Sequence, residues 1–132
     1  MTIVGQIYYC MHCHNTVLMV GEGEGVLVCC GAKMRLLEEH NPAEKTDAWE
    51  YHIPQIFQSE SGVVVKIGEK IHPMDDNHFI SWIELQLNGV SLQYSLDPLE
   101  DKFAEAVFPL HIPDGTSVII RAVCNVHGLW RN

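Results

Sequence analysis

Basic residues are scarce in this chain of 132: eight lysines and arginines stand against seventeen aspartates and glutamates, a formal net charge of -9. Nucleic-acid binding draws on cationic patches that face phosphates, and a chain so short of cations has little to build them from. Long apolar runs are missing as well. Nothing approaches the roughly 20 residues of a membrane span, and the N-terminus has no basic region followed by an apolar stretch. Neither nucleic acid nor membrane is an expected partner, and the chain reads as cytoplasmic. A third absence is the long amphipathic helix that parallel strands need for their crossovers. There is no internal repeat and no low-complexity run. The cysteines do not make an even set: there are five, four of them within the first 30 residues, whereas oxidised secreted domains carry paired cysteines.

What is present is an ordinary globular composition, 47% hydrophobic and 19% charged, with an unusual load of five cysteines and eight histidines. The distribution of the cysteines favours metal over disulfide. The acidity sets a condition on any anion chemistry, because the protein as a whole repels an anion unless a locally positive site attracts it. A bound metal supplies such a site.

The chain divides into two modules. Residues 1–37 read as short strands, Gln6 to Tyr9, Thr16 to Val20 and Val26 to Cys29, with Gly21, Gly23 and Gly25 marking a tight connection. That segment has too little apolar mass for a core of its own, and modules of this size are commonly stapled by metal or disulfide. Residues 38–50 turn polar around Asn41-Pro42 and read as a linker containing a short helical turn. Residues 51–132 return to β pattern. Gly62 to Gly68, His78 to Leu87, Val90 to Leu96 and Thr116 to Cys124 are the clearest strands, separated by Asn88-Gly89, Asp97-Pro98 and Pro113-Asp114-Gly115. The expectation is an all-β chain whose larger part is an immunoglobulin-like antiparallel β-sandwich.

Two constellations carry chemistry. Cys10-Met11-His12-Cys13 is a C-x2-C pair, and Cys29 and Cys30 stand side by side further on. Four thiolates on two turn-flanked segments suit tetrahedral iron or zinc. Adjacent strand residues point to opposite faces, so Cys29-Cys30 must bend locally, and Gly31 permits the bend. A zinc ion that only holds the module together remains an alternative, and so do disulfides. His12 and His14 flank Cys13 but are read as solvated, since four cysteines complete the shell.

The second constellation is His52, His72, His78, Cys124 and His127. Any one histidine on an apolar strand is more often a core or surface residue than a ligand. Here each sits beside a Pro or Gly turn or at a strand edge, and Cys124 with His127 makes a C-x2-H pair able to reach one ion. Four neutral imidazoles and one thiolate bring a single negative charge, so a divalent ion leaves the site net positive. Five protein donors exceed the usual zinc shell and leave one octahedral position open. Blue-copper sites pair His with Cys but use two histidines and a weak axial group. Four imidazoles favour iron, and a thiolate opposite the open position pushes electron density toward a bound oxygen ligand.

Taken together, Cys10-x2-Cys13, Leu27-Val28-Cys29-Cys30-Gly31, Glu50-Tyr51-His52-Ile53-Pro54, His72-Pro73-Met74, His78-Phe79-Ile80-x-Trp82-Ile83-Glu84 and Cys124-Asn125-x-His127-Gly128-Leu129-Trp130 make the chain resemble desulfoferrodoxin, the two-iron form of superoxide reductase, over nearly its whole length. The resemblance implies two iron ions: a desulforedoxin-like FeS4 centre on Cys10, Cys13, Cys29 and Cys30, and a square-pyramidal centre with His52, His72, His78 and His127 around the iron and Cys124 as axial thiolate. It implies that ferrous iron at the second centre passes one electron to superoxide, that protons then release hydrogen peroxide, and that Glu50 takes the sixth position once the iron is ferric. A rubredoxin-like electron donor and a homodimer are expected with it.

Two positions depart from the family pattern. Tyr51 stands where the family has a lysine that attracts superoxide, and a tyrosine hydroxyl brings no positive charge at neutral pH; Lys45 and Lys70 are the candidate replacements. His14 stands where the family has glycine. A non-enzymatic iron electron carrier is the competing reading, and a structural zinc protein a third.

Overall fold

The computed structural model describes residues 1–44 and 48–132, and the chain divides into two compact units, 1–38 and 39–132. In the first unit β1 (Ile7–Tyr9) lies between β2 (Thr16–Leu18) and β5 (Arg35–Leu36), while β3 (Val28–Cys29) and β4 (Ala32–Lys33) form a separate hairpin. Val28 pairs with Lys33 and Cys29 with Ala32, which leaves Cys30 and Gly31 as a two-residue loop with φ of 52° and 75°. Positive φ at both loop positions is the type I′ turn that matches strand twist. The bend required between the adjacent cysteines therefore falls on Cys30 itself as well as on Gly31. Of the apolar side chains in this unit, only Ile7 and Cys10 are buried among the described residues. So small a core cannot offset the chain entropy alone.

The second unit opens with β6 (Glu39–His40), a 3-10 turn (Pro42–Glu44) and a single helical turn, α1 (Trp49–His52). Seven strands follow: β7 (Pro54–Ser59), β8 (Gly62–Ile67), β9 (Ile80–Leu87), β10 (Val90–Ser95), β11 (Glu105–Phe108), β12 (Ile119–Cys124) and β13 (Gly128–Arg131). They form two sheets, β10-β9-β12-β13-β6 and β11-β8-β7. Val63, Val65 and Ile67 of β8 meet Ile83 and Leu85 of β9 and Ile120 and Ala122 of β12 in one continuous core. Each valine, leucine or isoleucine among them contributes about 1.5–3 kcal/mol by leaving water, which is what holds two sheets face to face. The expected sandwich is present. Asn88 (φ 50°) and Gly89 (φ 77°) form its tight β9–β10 hairpin loop.

Four strands of this unit, β6, β7, β11 and β13, lie outside those read from sequence, as do the two-residue β4 and β5 of the first. β7 starts on a proline at a sheet edge and is rich in Gln and Ser, so it lacks clean alternation. β11 and β13 have four residues each. The antiparallel expectation has one exception: β6 pairs parallel with β13, Leu129 opposite Glu39 and Trp130 opposite His40. The polar composition around Asn41-Pro42 conceals it. Between β12 and β9 the register slips at Val123/Cys124, so that Cys124 lies opposite Ile80. Both residues are buried. The bulge keeps Cys124 on the core side at the end of its strand.

Candidate metal centres

The loop that joins β1 to β2 carries Cys10 and Cys13. It closes through the Cys10 amide donating to the Asn15 carbonyl at 2.9 Å and the His14 amide donating to the Cys10 carbonyl at 2.9 Å. The β3–β4 turn presents Cys29 and Cys30 to it. All four sulfurs lie within 4.8 Å of one another, and the Cys13 and Cys29 sulfurs are 3.5 Å apart. A tetrahedron with metal–sulfur bonds of about 2.3 Å has edges of about 3.8 Å, so the four fit one ion. No disulfide is formed among the described residues. The cluster is also electrostatically incomplete. Backbone N–H groups of Cys13 and His12 pull the Cys10 thiol down to about 6, while its sulfur neighbours, Cys13 first, push Cys30 up to about 12. Cys29 is raised by the same neighbours. Four thiolates cannot coexist there without a cation. His14 turns to the Tyr9 hydroxyl through Nδ1 at 2.5 Å, and Asn15 Nδ2 donates to the Cys29 sulfur at 3.7 Å.

The second group is assembled from four segments: α1 supplies His52, the turn after β8 His72, the loop before β9 His78, and the end of β12 with its connection to β13 Cys124 and His127. One donor atom from each lies within 4.8 Å of all the others. Opposite nitrogens on an octahedral ion with bonds of about 2.1 Å stand about 4.2 Å apart, which this spacing accommodates. The imidazoles form a closed cycle. His52 neighbours His72 (4.7 Å between centroids, 70°), His72 neighbours His78 (4.7 Å, 80°), His78 neighbours His127 (5.0 Å, 66°), and His127 returns to His52 (4.9 Å, 78°).

Backbone carbonyls set the ring orientations. Nδ1 of His52 donates to the Ala48 carbonyl at 2.7 Å and Nδ1 of His72 to the Pro73 carbonyl at 2.8 Å. A proton held on Nδ1 leaves the lone pair on Nε2. Nε2 of His52, His72 and His78 are buried with no hydrogen-bond partner. Buried polar atoms are otherwise almost always paired, and three converging unpaired ring nitrogens fit a cation. His127 instead turns Nδ1 to the Cys124 sulfur at 3.7 Å, and its amide donates to that sulfur at 3.3 Å. Burial pushes His52 and His72 down to about 4 and lowers His127. These imidazoles therefore stay neutral donors at neutral pH. Cys124 is raised by burial, against the amides of His127 and Val126 that lower it.

Both donor sets have counterparts among known proteins. The desulfoferrodoxin family model matches residues 44–132, and that of the desulfoferrodoxin N-terminal domain matches residues 2–37. The chain belongs to the desulfoferrodoxin family. Desulfoferrodoxin of Syntrophotalea carbinolica is 42% identical over 95% of this chain and 93% of its own length. Superoxide reductase of Pyrococcus abyssi is 31% identical over 67% of this chain and 90% of its own. The crystal structure of the superoxide reductase from Treponema pallidum superposes with a TM-score of 0.71 over 96% of this chain and 95% of that one, at 23% identity, and shares its fold. In keeping with its family, the chain has a group of four cysteines and a group of four histidines with one cysteine, together able to bind two irons.

All nine candidate metal-binding residues of the sequence reading fall into these two groups. Glu50 and Tyr51 lie on α1 directly before His52, with Glu50 partly and Tyr51 well exposed. Lys70 Nζ lies 3.2 Å from Glu50 Oε1 and 5.8 Å from the centre of the Tyr51 ring. Lys45 lies outside the described residues. Two supporting residues escape a reading by ligand type. Gly68 (φ +93°) brings its turn against α1 so closely that a Cβ would stand 2.2 Å from the Lys70 carbonyl oxygen and 2.6 Å from that of Tyr51. Asn125 accepts the Phe79 amide at 2.8 Å and donates to the Asn77 carbonyl at 3.1 Å, tying the His78 loop to the Cys124–His127 turn. A glycine ending a strand and an asparagine inside the C-x2-H spacing are the only sequence signals either offers.

Proposed function

We propose that this chain is a superoxide reductase, with an iron ion held by His52, His72, His78, His127 and Cys124 and a second by Cys10, Cys13, Cys29 and Cys30. The observation that carries the reading is the closed cycle of four imidazoles with three unpaired Nε2 atoms beside a buried thiol. An iron bound there would supply a positive charge for an anion and the single electron that turns superoxide into peroxide. The reading is supported by superoxide reductases among the relatives.

The chain's own residues set the charge of the site and the approach to it. Burial keeps His52 and His72 neutral, so the donor set brings only the charge of Cys124 and a ferrous ion leaves the site positive. Glu50 and Tyr51 sit at the exposed edge of α1, within reach of an incoming anion. Lys70 puts an ammonium group into the same edge, bridging to Glu50. It takes over the attraction that Tyr51 cannot provide, and Glu50, once released from Lys70, would be the carboxylate available to an iron held by the neighbouring His52. The electron comes from a rubredoxin-like donor, and the protein works as a cytoplasmic homodimer.

Pulse radiolysis of the reduced protein with superoxide tests the reading by following oxidation of the second centre. A rate proportional to superoxide concentration is expected. No oxidation above the blank would leave only an iron electron carrier. Lys70→Met should slow that oxidation several-fold at low ionic strength, and added salt should shrink the difference, because steering by an exposed charge is screened within about 10 Å at 0.1 M salt. Equal rates at all ionic strengths would remove Lys70 from the mechanism.

A further inference from the structure

Two ring contacts lie outside the imidazole cycle. The Trp130 indole stacks on His52, with 4.5 Å between centroids and 21° between planes, and it also packs against His40 at 4.6 Å and 35°. Trp130 is 3% exposed, and its Nε1–H donates to the His127 carbonyl at 3.0 Å. One side chain thus touches two members of the cycle, one through its ring plane and the other through the backbone of its turn.

His40 comes from a segment, residues 39–44, that supplies no member of the donor group. It reaches Trp130 on β6, whose two residues offer too few ladder bonds to hold a strand by themselves. Arg121 adds what is missing. Its Nη1 donates to Glu39 Oε2 at 3.1 Å, while its Nε donates to Glu84 Oε1 at 2.6 Å. Arg121 and Glu84 are 4% and 2% exposed, and Glu84 also accepts from Gln86 Nε2 at 2.8 Å and Ser91 Oγ at 2.7 Å. A buried charge pair is costly unless its hydrogen bonds are filled. Here the pair is anchored in β9 and β12 and extends to the strand that carries His40. The His40 ring is further fixed by Glu44, whose Oε2 lies 2.8 Å from Nδ1.

We propose that Trp130 and His40 are positioning residues of the second centre: the indole fixes the plane of the His52 ring and the turn bearing His127, and His40, delivered by the strand that Arg121 pins, holds the indole. The proposal rests on His52 and His127 being iron donors. It makes residues 39–44 part of the centre although none of them supplies a donor atom. Partners of this kind, one step removed from the metal, typically govern affinity by about 10–100-fold.

The test uses the full-length, iron-loaded protein and needs no superoxide. Iron retention by the second centre against a competing chelator and the position of its thiolate charge-transfer band are measured together, with the first centre's spectrum as internal control. His40→Ala should weaken retention at the second centre about 10-fold and shift its band, leaving the first centre unchanged. His40→Phe should restore both, because a ring again packs on the indole. Trp130→Phe, which keeps a ring but loses the donor to His127, should fall between. Wild-type retention and band in both His40→Ala and Trp130→Phe would overturn the proposal, and so would a His40→Phe variant no better than the alanine one. A wild-type protein holding no iron at the second centre would instead overturn the donor assignment, and this inference with it.

Discussion

At the Cys124 sulfur two effects oppose each other, burial raising the thiol and the amides of His127 and Val126 favouring the thiolate. A cation decides between them. Cys124→Ser should therefore abolish the thiolate-to-iron absorption of the second centre and leave that of the first intact; survival of both bands would place the sulfur donor elsewhere. His52 and His72 make a second test at this scale. Their folded values of about 4 lie below the 6.5 of an unperturbed imidazole. In the metal-free protein the unfolded chain takes up protons that the folded one refuses, so stability is full above pH 6.5 and is lost as pH falls toward 4. Urea midpoints of the metal-free protein at pH of about 7.5 and about 4.5 should differ in that direction. Replacing both histidines by asparagine should flatten the difference.

At the scale of elements, two glycines with similar φ predict different costs. Gly31 (φ +75°) has nothing within 4 Å of the place a methyl group would take, whereas at Gly68 the methyl would meet backbone oxygens. Gly31→Ala should cost about 1–2 kcal/mol, the price of a left-handed alanine. Gly68→Ala should cost more, on the order of 3 kcal/mol or above, and should loosen the second centre because the turn bearing His72 and the helical turn bearing His52 meet there. Thermal unfolding of both variants checks the order. The same elements show what could be read in advance. The C-x2-C pair, the Cys29-Cys30 bend and Asn88-Gly89 were legible because spacing and turn chemistry are local. The carbonyls of Ala48 and Pro73 that aim His52 and His72 were not, since backbone acceptors leave no mark on residue identity. Nor was β6, whose two residues sit in a polar run and acquire meaning only opposite Leu129 and Trp130.

For the whole molecule, the division of apolar mass sets the response to metal removal. Residues 1–38 bury Ile7 and Cys10 as their apolar interior, whereas residues 39–132 contain the continuous sandwich core. Stripping both irons should abolish hydrogen-exchange protection in the first unit while amides around Val65, Leu85 and Ile120 stay protected. Protection retained at Ile7 and Tyr9 would mean that the first unit folds without its ion. The sandwich architecture was legible from short strands separated by turn signals, and the two donor groups from residue type and spacing, with iron at the four cysteines coming only from the family resemblance. How far the second centre extends was not, because Glu39, Arg121 and Glu84 are joined by an ion network, buried at Arg121 and Glu84, between residues distant in the chain.

That network bears on how the gene could be cut. The family model for the larger domain begins at residue 44, and a single-iron version built from that boundary would discard β6, taking Glu39 from Arg121 and His40 from Trp130. A fragment starting at residue 39 or earlier keeps them.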